Sequence, residues 1–222
     1  MWSDEFNGDS LNRADWNVEI HEKGWVNNEL QEYVDSAENI QVKDVKLIIN
    51  PVKKVTDGDT GSTKEAASYT SGRVSTQNKQ TFTYGRFECR AKVPKGQGYL
   101  PAFWLMANDE NVYGQWPRCG EIDCMEVMGQ ETNKTYGTIH YGNPHSQSQG
   151  TYTITDGADF SDDFHIFTCD WEPGKITWYV DGVKYHEESD WHSTTVGQGT
   201  LSIANHETCN CSTGNFHICR FM

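Results

Sequence analysis

Apolar and polar residues alternate in short runs along most of this chain, and Gly, Asn, Asp or Pro residues stand between many of the runs. Such runs are typical of half-buried β-strands, and the absence of a long segment with helical period predicts an all-β sandwich or barrel. Asp181-Gly182 predicts a two-residue hairpin turn, whereas the polar segment Asn143–Gly150 is predicted as a surface loop. The predicted strands are Asn39–Val42, Leu47–Asn50, Gly85–Val93, Ala102–Met106, Gly120–Val127, Tyr136–Tyr141, Phe164–Trp171, Ile176–Val180 and Val183–His186.

One predicted strand is unusually acidic. Glu121, Asp123 and Glu126 lie in a segment that is otherwise apolar enough to be buried. Side chains alternate between the two faces of a strand, so Glu121 and Asp123 share one face. Ile122 and Cys124 then lie on the other face. Strict alternation would put Glu126 on the wrong face, and we therefore predict a β-bulge, which adds one residue and restores it.

Three carboxylates on one face of a buried strand indicate acid–base chemistry, because each must otherwise be solvated, paired or shifted in pKa. Retaining glycosidases use one carboxylate as nucleophile and a second as general acid/base, with the carboxyl groups about 5–5.5 Å apart. At ~3.3 Å per strand residue, the Cα atoms of Glu121 and Glu126 would be about 13 Å apart. Their side chains would therefore lean together over a concave sheet. A solvated edge strand is the alternative interpretation.

The acidic strand is part of a longer motif, Trp-Pro-Arg-Cys-Gly-Glu-Ile-Asp-Cys-Met-Glu, which covers residues 116–126. This motif resembles the catalytic motif of glycoside hydrolase family 16. Two residues between the Asp and the last Glu make it similar to the laminarinase branch, the endo-β-1,3-glucanases, rather than the lichenase branch. Further segments resemble family motifs in the family's order, over about residues 2–191: Trp2–Gly8, Asn27–Tyr33, Tyr69–Arg73, Tyr84–Glu88, Pro101–Trp104, Gly137–His140, Phe164–His165 and Trp178–Gly182.

The resemblance implies a fold and a reaction. The fold would be a concanavalin-like β-jelly-roll sandwich of two curved antiparallel sheets. The reaction would be endo-hydrolysis of laminarin-type β-1,3-glucan with retention of configuration, by double displacement. Glu121 would be the nucleophile, Glu126 the general acid/base and Asp123 an electrostatic helper. Two alternatives remain open: a non-catalytic β-glucan-binding protein on the same fold, and a family 16 enzyme acting on mixed-linkage glucan or a galactan.

The resemblance also implies five substrate-binding residues. Arg73 and Asn28 would offer hydrogen-bond donors to sugar hydroxyls, although a structural salt bridge is the alternative for Arg73. Trp104 and Trp116 flank the acidic strand and would stack on sugar rings, or else belong to the core. His140 would polarise the site near the acid/base, or be a hydrogen-bonded core histidine.

Composition limits the partners. The 18 basic and 32 acidic residues give a net charge of −14, which argues against nucleic acid and suits a neutral polysaccharide. No apolar run approaches the ~20 residues that span a membrane. We expect no cofactor and no metal, since the structural calcium of the family is not supported by this C-terminal sequence. The resemblance implies a monomeric, extracellular protein, although no signal peptide precedes the domain sequence.

The resemblance ends near Trp191. Residues 1–191 are interpreted as the family 16 catalytic domain, and residues 192–222 as a divergent tail, truncated or frameshifted. Two C-terminal sheet strands are therefore expected to be missing, and the chain is expected to fold poorly as a result. The tail contains a Cys-x-Cys pair, Cys209 and Cys211, with histidines nearby, but its tight spacing does not support a zinc site.

Overall fold

The computed structural model describes residues 1–54, 68–194, 200–202 and 215–218. Within these ranges the chain forms short strands and one helical turn, α1 (Glu110–Tyr113). The strands are β1 (Asn17–Val18), β2 (Gln31–Tyr33), β3 (Ile40–Val42), β4 (Leu47–Ile49), β5 (Val52–Lys54), β6 (Ser68–Ser71), β7 (Val74–Ser75), β8 (Gly85–Ala91), β9 (Ala102–Met106), β10 (Glu121–Glu126), β11 (Lys134–Tyr141), β12 (Ser146–Thr153), β13 (His165–Glu172), β14 (Lys175–Val180), β15 (Val183–Glu188), β16 (His192–Thr194), β17 (Thr200–Ser202) and β18 (Asn215–Ile218).

Two antiparallel sheets form a sandwich. The larger has the order β1-β7-β18-β9-β10-β11-β12, and the smaller has the order β15-β14-β13-β8. Phe103 and Met125 of the larger sheet belong to the same buried core as Phe167 of the smaller one. Across this core the Trp178 indole N–H of β14 donates a 2.9 Å hydrogen bond to the Asp123 carbonyl oxygen of β10. The predicted all-β sandwich is therefore confirmed.

The remaining strands form smaller sheets. β3 pairs with β4, β16 pairs with β17, and β2, β6 and β5 form a three-stranded sheet in which β2 and β6 run parallel. β6 of this sheet leads directly into β7, which pairs with β1 at one end of the larger sheet. Among the described residues, no helix combines the length and the apolar character needed to cross a bilayer.

All nine predicted strands are present, with ends within two residues of the prediction. The prediction of a loop over Asn143–Gly150 is wrong beyond its first residues, because β12 begins at Ser146 and pairs with β11 along its whole length. Its sequence is polar and contains Gly150, which strands disfavour, but β12 is an edge strand on which alternate side chains face outward. Tertiary pairing overrides propensity at such positions.

The hairpin prediction at Asp181-Gly182 is confirmed. β14 ends at Val180 and β15 begins at Val183, so the turn has two residues. Both turn residues have left-handed backbone angles, with φ of 48° at Asp181 and 78° at Gly182. A type I′ turn requires this pair of angles, and Asp-Gly adopts them at little cost.

The C-terminal segment contributes strands to the fold. β18 lies between β7 and β9 in the larger sheet, with Phe216 opposite Leu105 and Ile218 opposite Val74. Cys209 and Cys211 of the tail lie outside the described residues. The division of the chain at residue 191 and the expectation of poor folding stay predictions.

Candidate active site

Strand β10 lies between β9 and β11, and its three acidic residues share one face. Glu121 is opposite His140 on β11, while Asp123 and Glu126 are opposite Thr138 and Tyr136. These β11 residues are at alternate positions, so all three acids lie on the side facing away from the core. We call this side the open face. The predicted common face of the three carboxylates is confirmed.

The predicted bulge is also confirmed. The register of β10 shifts between Asp123 and Glu126 against β11, and between Asp123 and Met125 against β9. Cys124 and Met125 are therefore both buried as consecutive residues, with 1% and 0% of their surface exposed. The extra apolar residue fits the core and returns Glu126 to the open face, as expected for a bulge.

Burial and mutual repulsion raise the pKa of all three carboxyl groups. For Glu121 burial is the larger cause, followed by the Asp123 carboxylate. Burial also dominates for Asp123, followed by Glu126, and for Glu126, followed by Glu121. Like charges in a poorly solvated site disfavour simultaneous ionisation. The three groups can therefore retain a proton close to neutral pH, where an isolated carboxyl would be ionised.

Two neighbours favour the charged forms of these acids. The Trp116 indole N–H donates a 2.5 Å hydrogen bond to Glu121 Oε2, and His140 Nε2 lies 3.2 Å from Asp123 Oδ2. Trp116 is 45% exposed, so its ring is also available to a ligand. The structure thus brings Trp116 and His140, both predicted as substrate-binding, into direct contact with the acidic strand.

Arg73 and Trp104 form a second group beside the acids. Trp104 lies opposite Asp123 on β9, and the Arg73 guanidinium carbon is 4.8 Å from the centre of its ring. The same guanidinium is 5.1 Å from the Trp25 ring, and Arg73 Nε donates to Glu19 Oε2 at 2.6 Å. Arg73 and Trp104 are both largely buried. The salt-bridge alternative for Arg73 is therefore present in the structure, while its charge still lowers the pKa of Glu121.

Asn28 is placed differently from the other predicted residues. It is exposed in the segment before β2, with a left-handed φ of 53°. In the described part of the chain, no hydrogen bond joins its side chain to the carboxylates. Its predicted contact with substrate stays a prediction.

Sequence reasoning missed His145 and Trp25. His145 belongs to the segment between β11 and β12, and its Nε2 lies 3.0 Å from His140 Nδ1. Trp25 precedes β2, and its ring stacks on His21 with centroids 3.5 Å apart. Trp25 lies just before the Asn-Asn-Glu-Leu-Gln motif, which could have indicated it. Nothing in the sequence marks His145, because its neighbours there are turn-forming residues.

The described residues form neither a cluster of metal ligands nor a disulfide bond. No group of three His, Cys, Asp or Glu side chains in the described ranges is arranged to hold a metal ion. The cysteines described there, Cys89, Cys119, Cys124 and Cys169, are free thiols. Cys124 and Cys169 are fully buried between the two sheets, and burial raises the pKa of Cys89 and Cys119 to about 12. Thiolate chemistry at neutral pH is therefore unfavourable at those two positions.

The geometry of β10 matches a known family. The model of glycosyl hydrolases family 16 matches residues 28–203. The chain belongs to this family. It is 39% identical over 209 residues to glucan endo-1,3-beta-glucosidase A1 of Niallia circulans, covering 87% of this chain and 30% of that protein. It is 43% identical over 192 residues to glucan endo-1,3-beta-glucosidase of Cryptopygus antarcticus, covering 85% of this chain and 68% of that protein.

A solved family 16 structure supports the fold. The laminarinase catalytic domain of Thermotoga maritima superposes with a TM-score of 0.72 at 33% identity, covering 100% of this chain and 85% of that one. The jelly-roll fold expected from the motifs is thereby confirmed. The chain nevertheless spans only about a third of the length of the Niallia circulans relative.

Proposed function

We propose that this chain is an endo-acting, retaining hydrolase of laminarin-type β-1,3-glucan. The observation that supports this most directly is the bulge of β10, which places Glu121, Asp123 and Glu126 together on the open face. The similar proteins from Niallia circulans and Cryptopygus antarcticus are both named glucan endo-1,3-beta-glucosidases. A binding protein without activity would have no need for three buried carboxylates, since each one costs stability.

The contacts of the two glutamates support different roles for them. Trp116 donates to Glu121, and the charge of Arg73 also favours its ionised form. Among the described residues, no side chain donates a hydrogen bond to the Glu126 carboxyl, and burial is the main cause of its raised pKa. Burial nevertheless raises the pKa of Glu121 to about 8, so we assign Glu121 as nucleophile and Glu126 as acid/base from the family motif, and the Trp116 hydrogen bond is the contact that favours ionised Glu121.

Double displacement follows from these roles. The Glu121 carboxylate attacks the anomeric carbon while the Glu126 carboxyl gives its proton to the departing glycosidic oxygen. A covalent glycosyl ester on Glu121 results. The Glu126 carboxylate then takes a proton from water, whose oxygen attacks the same carbon and releases Glu121. Asp123 lies beside Glu121 on the open face and can share the charge and the proton of the nucleophile.

Reducing-sugar release tests the substrate. We expect the fastest release from laminarin, slower release from the mixed-linkage glucan lichenan and little from agarose. Oligosaccharides of mixed length should appear early in the reaction, because an endo-acting enzyme cuts inside the polymer. A preference for agarose would overturn the proposed substrate. Binding of laminarin without any release of sugar would favour the non-catalytic alternative.

Azide rescue tests the roles of the glutamates. Azide should restore turnover of an activated glycoside by Glu121→Ala and give a glycosyl azide of inverted configuration, because the small anion replaces the nucleophile on the same face. In Glu126→Ala it should give the retained product, since azide then replaces water in the second step. If Glu121→Ala gave the retained azide and Glu126→Ala the inverted one, Glu126 would be the nucleophile and Glu121 the acid/base.

We also propose that the enzyme acts outside the cell. An intact β-glucan polymer outside the cell does not cross the membrane, so an enzyme that degrades it there must be exported. Laminarin-degrading activity should therefore be found in the culture medium of the source organism. Activity confined to lysed cells would contradict this location.

A further inference from the structure

His145 belongs to a chain of side chains that leads from the buried acids to solvent. Its ring is exposed and stacks on His140, with centroids 5.2 Å apart and planes inclined by 20°. The centre of its ring is also 5.0 Å from that of Trp116, which in turn lies 6.1 Å from the His140 ring. Because Trp116 also donates to Glu121, the three rings form one cluster in contact with the acids.

Both ring nitrogens of His140 have a close neighbour, one of them through a hydrogen bond and the other as an ion-pair contact. Its Nε2 lies 3.2 Å from Asp123 Oδ2, and its Nδ1 lies 3.0 Å from His145 Nε2. A neutral imidazole has one N–H and one acceptor nitrogen. If the His145 Nε2–H donates to His140 Nδ1, a neutral His140 bears its own proton on Nε2, the nitrogen that lies beside Asp123.

Only one proton can lie between the two facing nitrogens. Two N–H groups would point at each other across 3.0 Å, so the bond requires a donor nitrogen on one ring and an acceptor nitrogen on the other. Among the described residues, the charged groups beside the pair are Asp123, with Glu121 and Glu126 on the same face of β10. Arg118, before that strand, lies within hydrogen-bonding distance of the Asn143 side chain, in the same segment as His145. β12 contributes the neutral Gln147 opposite His140.

We propose that His145 is a positioning residue for hydrolysis: it holds His140 against Asp123 and sets on which nitrogen His140 bears its proton. This inference rests on the proposed function. His145 does not touch the reacting atoms and acts through His140. Its effect is therefore expected in the pH dependence and in kcat, rather than in substrate affinity.

Three variants test the proposal with laminarin as substrate. His145→Phe keeps an aromatic ring for stacking but removes the nitrogen that bonds to His140. We expect kcat to fall by roughly 3- to 10-fold, the range of one lost hydrogen bond, with KM changed less than twofold and the limbs of the pH profile displaced. His145→Gln can still donate or accept, so it should recover most of kcat. The matched control His165→Gln alters a histidine paired with Asp181 in the smaller sheet and should leave the pH profile unchanged.

An NMR measurement of the His140 ring tests the same proposal without relying on activity. In the unaltered protein, the chemical shifts of the two ring nitrogens should place the His140 proton on Nε2, and His145→Phe should change those shifts because the bond to Nδ1 is lost. Unchanged ring-nitrogen shifts together with an unchanged pH profile would overturn the proposal while leaving the hydrolytic function intact. Absence of laminarin hydrolysis in the unaltered protein would instead overturn the proposed function, and the histidine coupling would still be decided by NMR.

Discussion

Glu121 shows how a single residue at this site balances opposing effects. Its carboxyl is largely removed from water next to Asp123, and both conditions oppose ionisation. The Trp116 indole N–H and the charge of Arg73 act in the opposite direction. Chemistry requires the charged form of the nucleophile, so these two neighbours offset part of the cost of its burial. The part of the burial cost that Trp116 and Arg73 do not offset should be measurable as a lower free energy of unfolding.

Glu121→Gln should therefore stabilise the protein in a pH-dependent way. The pKa of Glu121 is raised on folding above its ordinary value of 4.5, so below about pH 4.5 both states are protonated and the variant should melt like the parent. As pH rises, ionisation favours the unfolded parent chain but not the neutral variant. Near neutrality the variant should be roughly 1–3 kcal/mol more stable, measured by thermal melting. The exposed control Glu22→Gln should show no such trend, and equal melting curves for parent and Glu121→Gln at every pH would contradict the argument.

Trp116→Phe should move the acidic limb of the pH–rate profile. The change keeps an aromatic ring but removes the N–H that favours ionised Glu121. The pKa of the nucleophile should then rise, so the acidic limb of kcat/KM should shift upward by about one to two pH units, the equivalent of one charge-assisted hydrogen bond. Trp25→Phe, whose ring lies beside Arg73 instead, should leave this limb in place. An unshifted limb in Trp116→Phe would show that the indole bond does not tune Glu121.

At the scale of the elements, strand β11 packs tightly against the smaller sheet. Its residues Tyr136, Thr138 and His140 face the open side, whereas Gly137 faces the core opposite Gly150 of β12. The absence of side chains at this glycine pair lets bulky residues of the smaller sheet approach. Strand β11, which pairs with the acidic strand β10, therefore packs directly against the smaller sheet.

Gly137→Ala should disrupt this packing. A Cβ at position 137 would clash with the Trp178 ring, 2.5 Å away, and with the Tyr185 hydroxyl. We expect a loss of about 1–3 kcal/mol in the free energy of unfolding, as for other overpacked cores. Gly8→Ala, where the nearest atom would be 3.6 Å away, is the matched control and should be nearly neutral in chemical denaturation. Equal stability of the two variants would mean that the sheets separate easily at β11.

At the scale of the whole molecule, the larger sheet contains strands from distant parts of the sequence. β18, from the end of the chain, pairs with β9 and β7 and so continues the sheet that contains the acids. We propose, as the family resemblance implies, that the active form is a monomer, which should elute in size-exclusion chromatography at the size of one chain.

Removing β18 should impair folding. A chain ending at residue 214 would leave the N–H and C=O groups of β9 unpaired along one edge, a template for aggregation. We expect less soluble protein and a lower melting temperature than for a chain ending at residue 218, which keeps β18. Equal solubility and melting would show that β18 contributes nothing to stability. The full 222-residue chain in the same experiment tests the sequence-based expectation of poor folding, which cooperative melting would contradict.

Local patterns in the sequence were sufficient for several features of this protein. The nine predicted strands, the Asp181-Gly182 turn and the bulge of β10 follow from periodicity and turn chemistry, which act between near neighbours. The acids Glu121, Asp123 and Glu126 were found because three carboxylates conflict with an otherwise apolar strand. Such a conflict between local rules is itself the signal of a functional site.

Tertiary structure alone decided the surroundings of those acids. His145 reaches His140 only because the chain turns back between β11 and β12, and Arg73 meets Trp104 only because β7 and β9 enter one sheet. β12 forms despite its polar sequence because β11 offers it a complete row of hydrogen-bonding partners. Contacts of this kind depend on which residues the fold brings together across the sheets. Hydrophobic periodicity indicates which face of an element is buried, but it does not indicate which residues pack against that face.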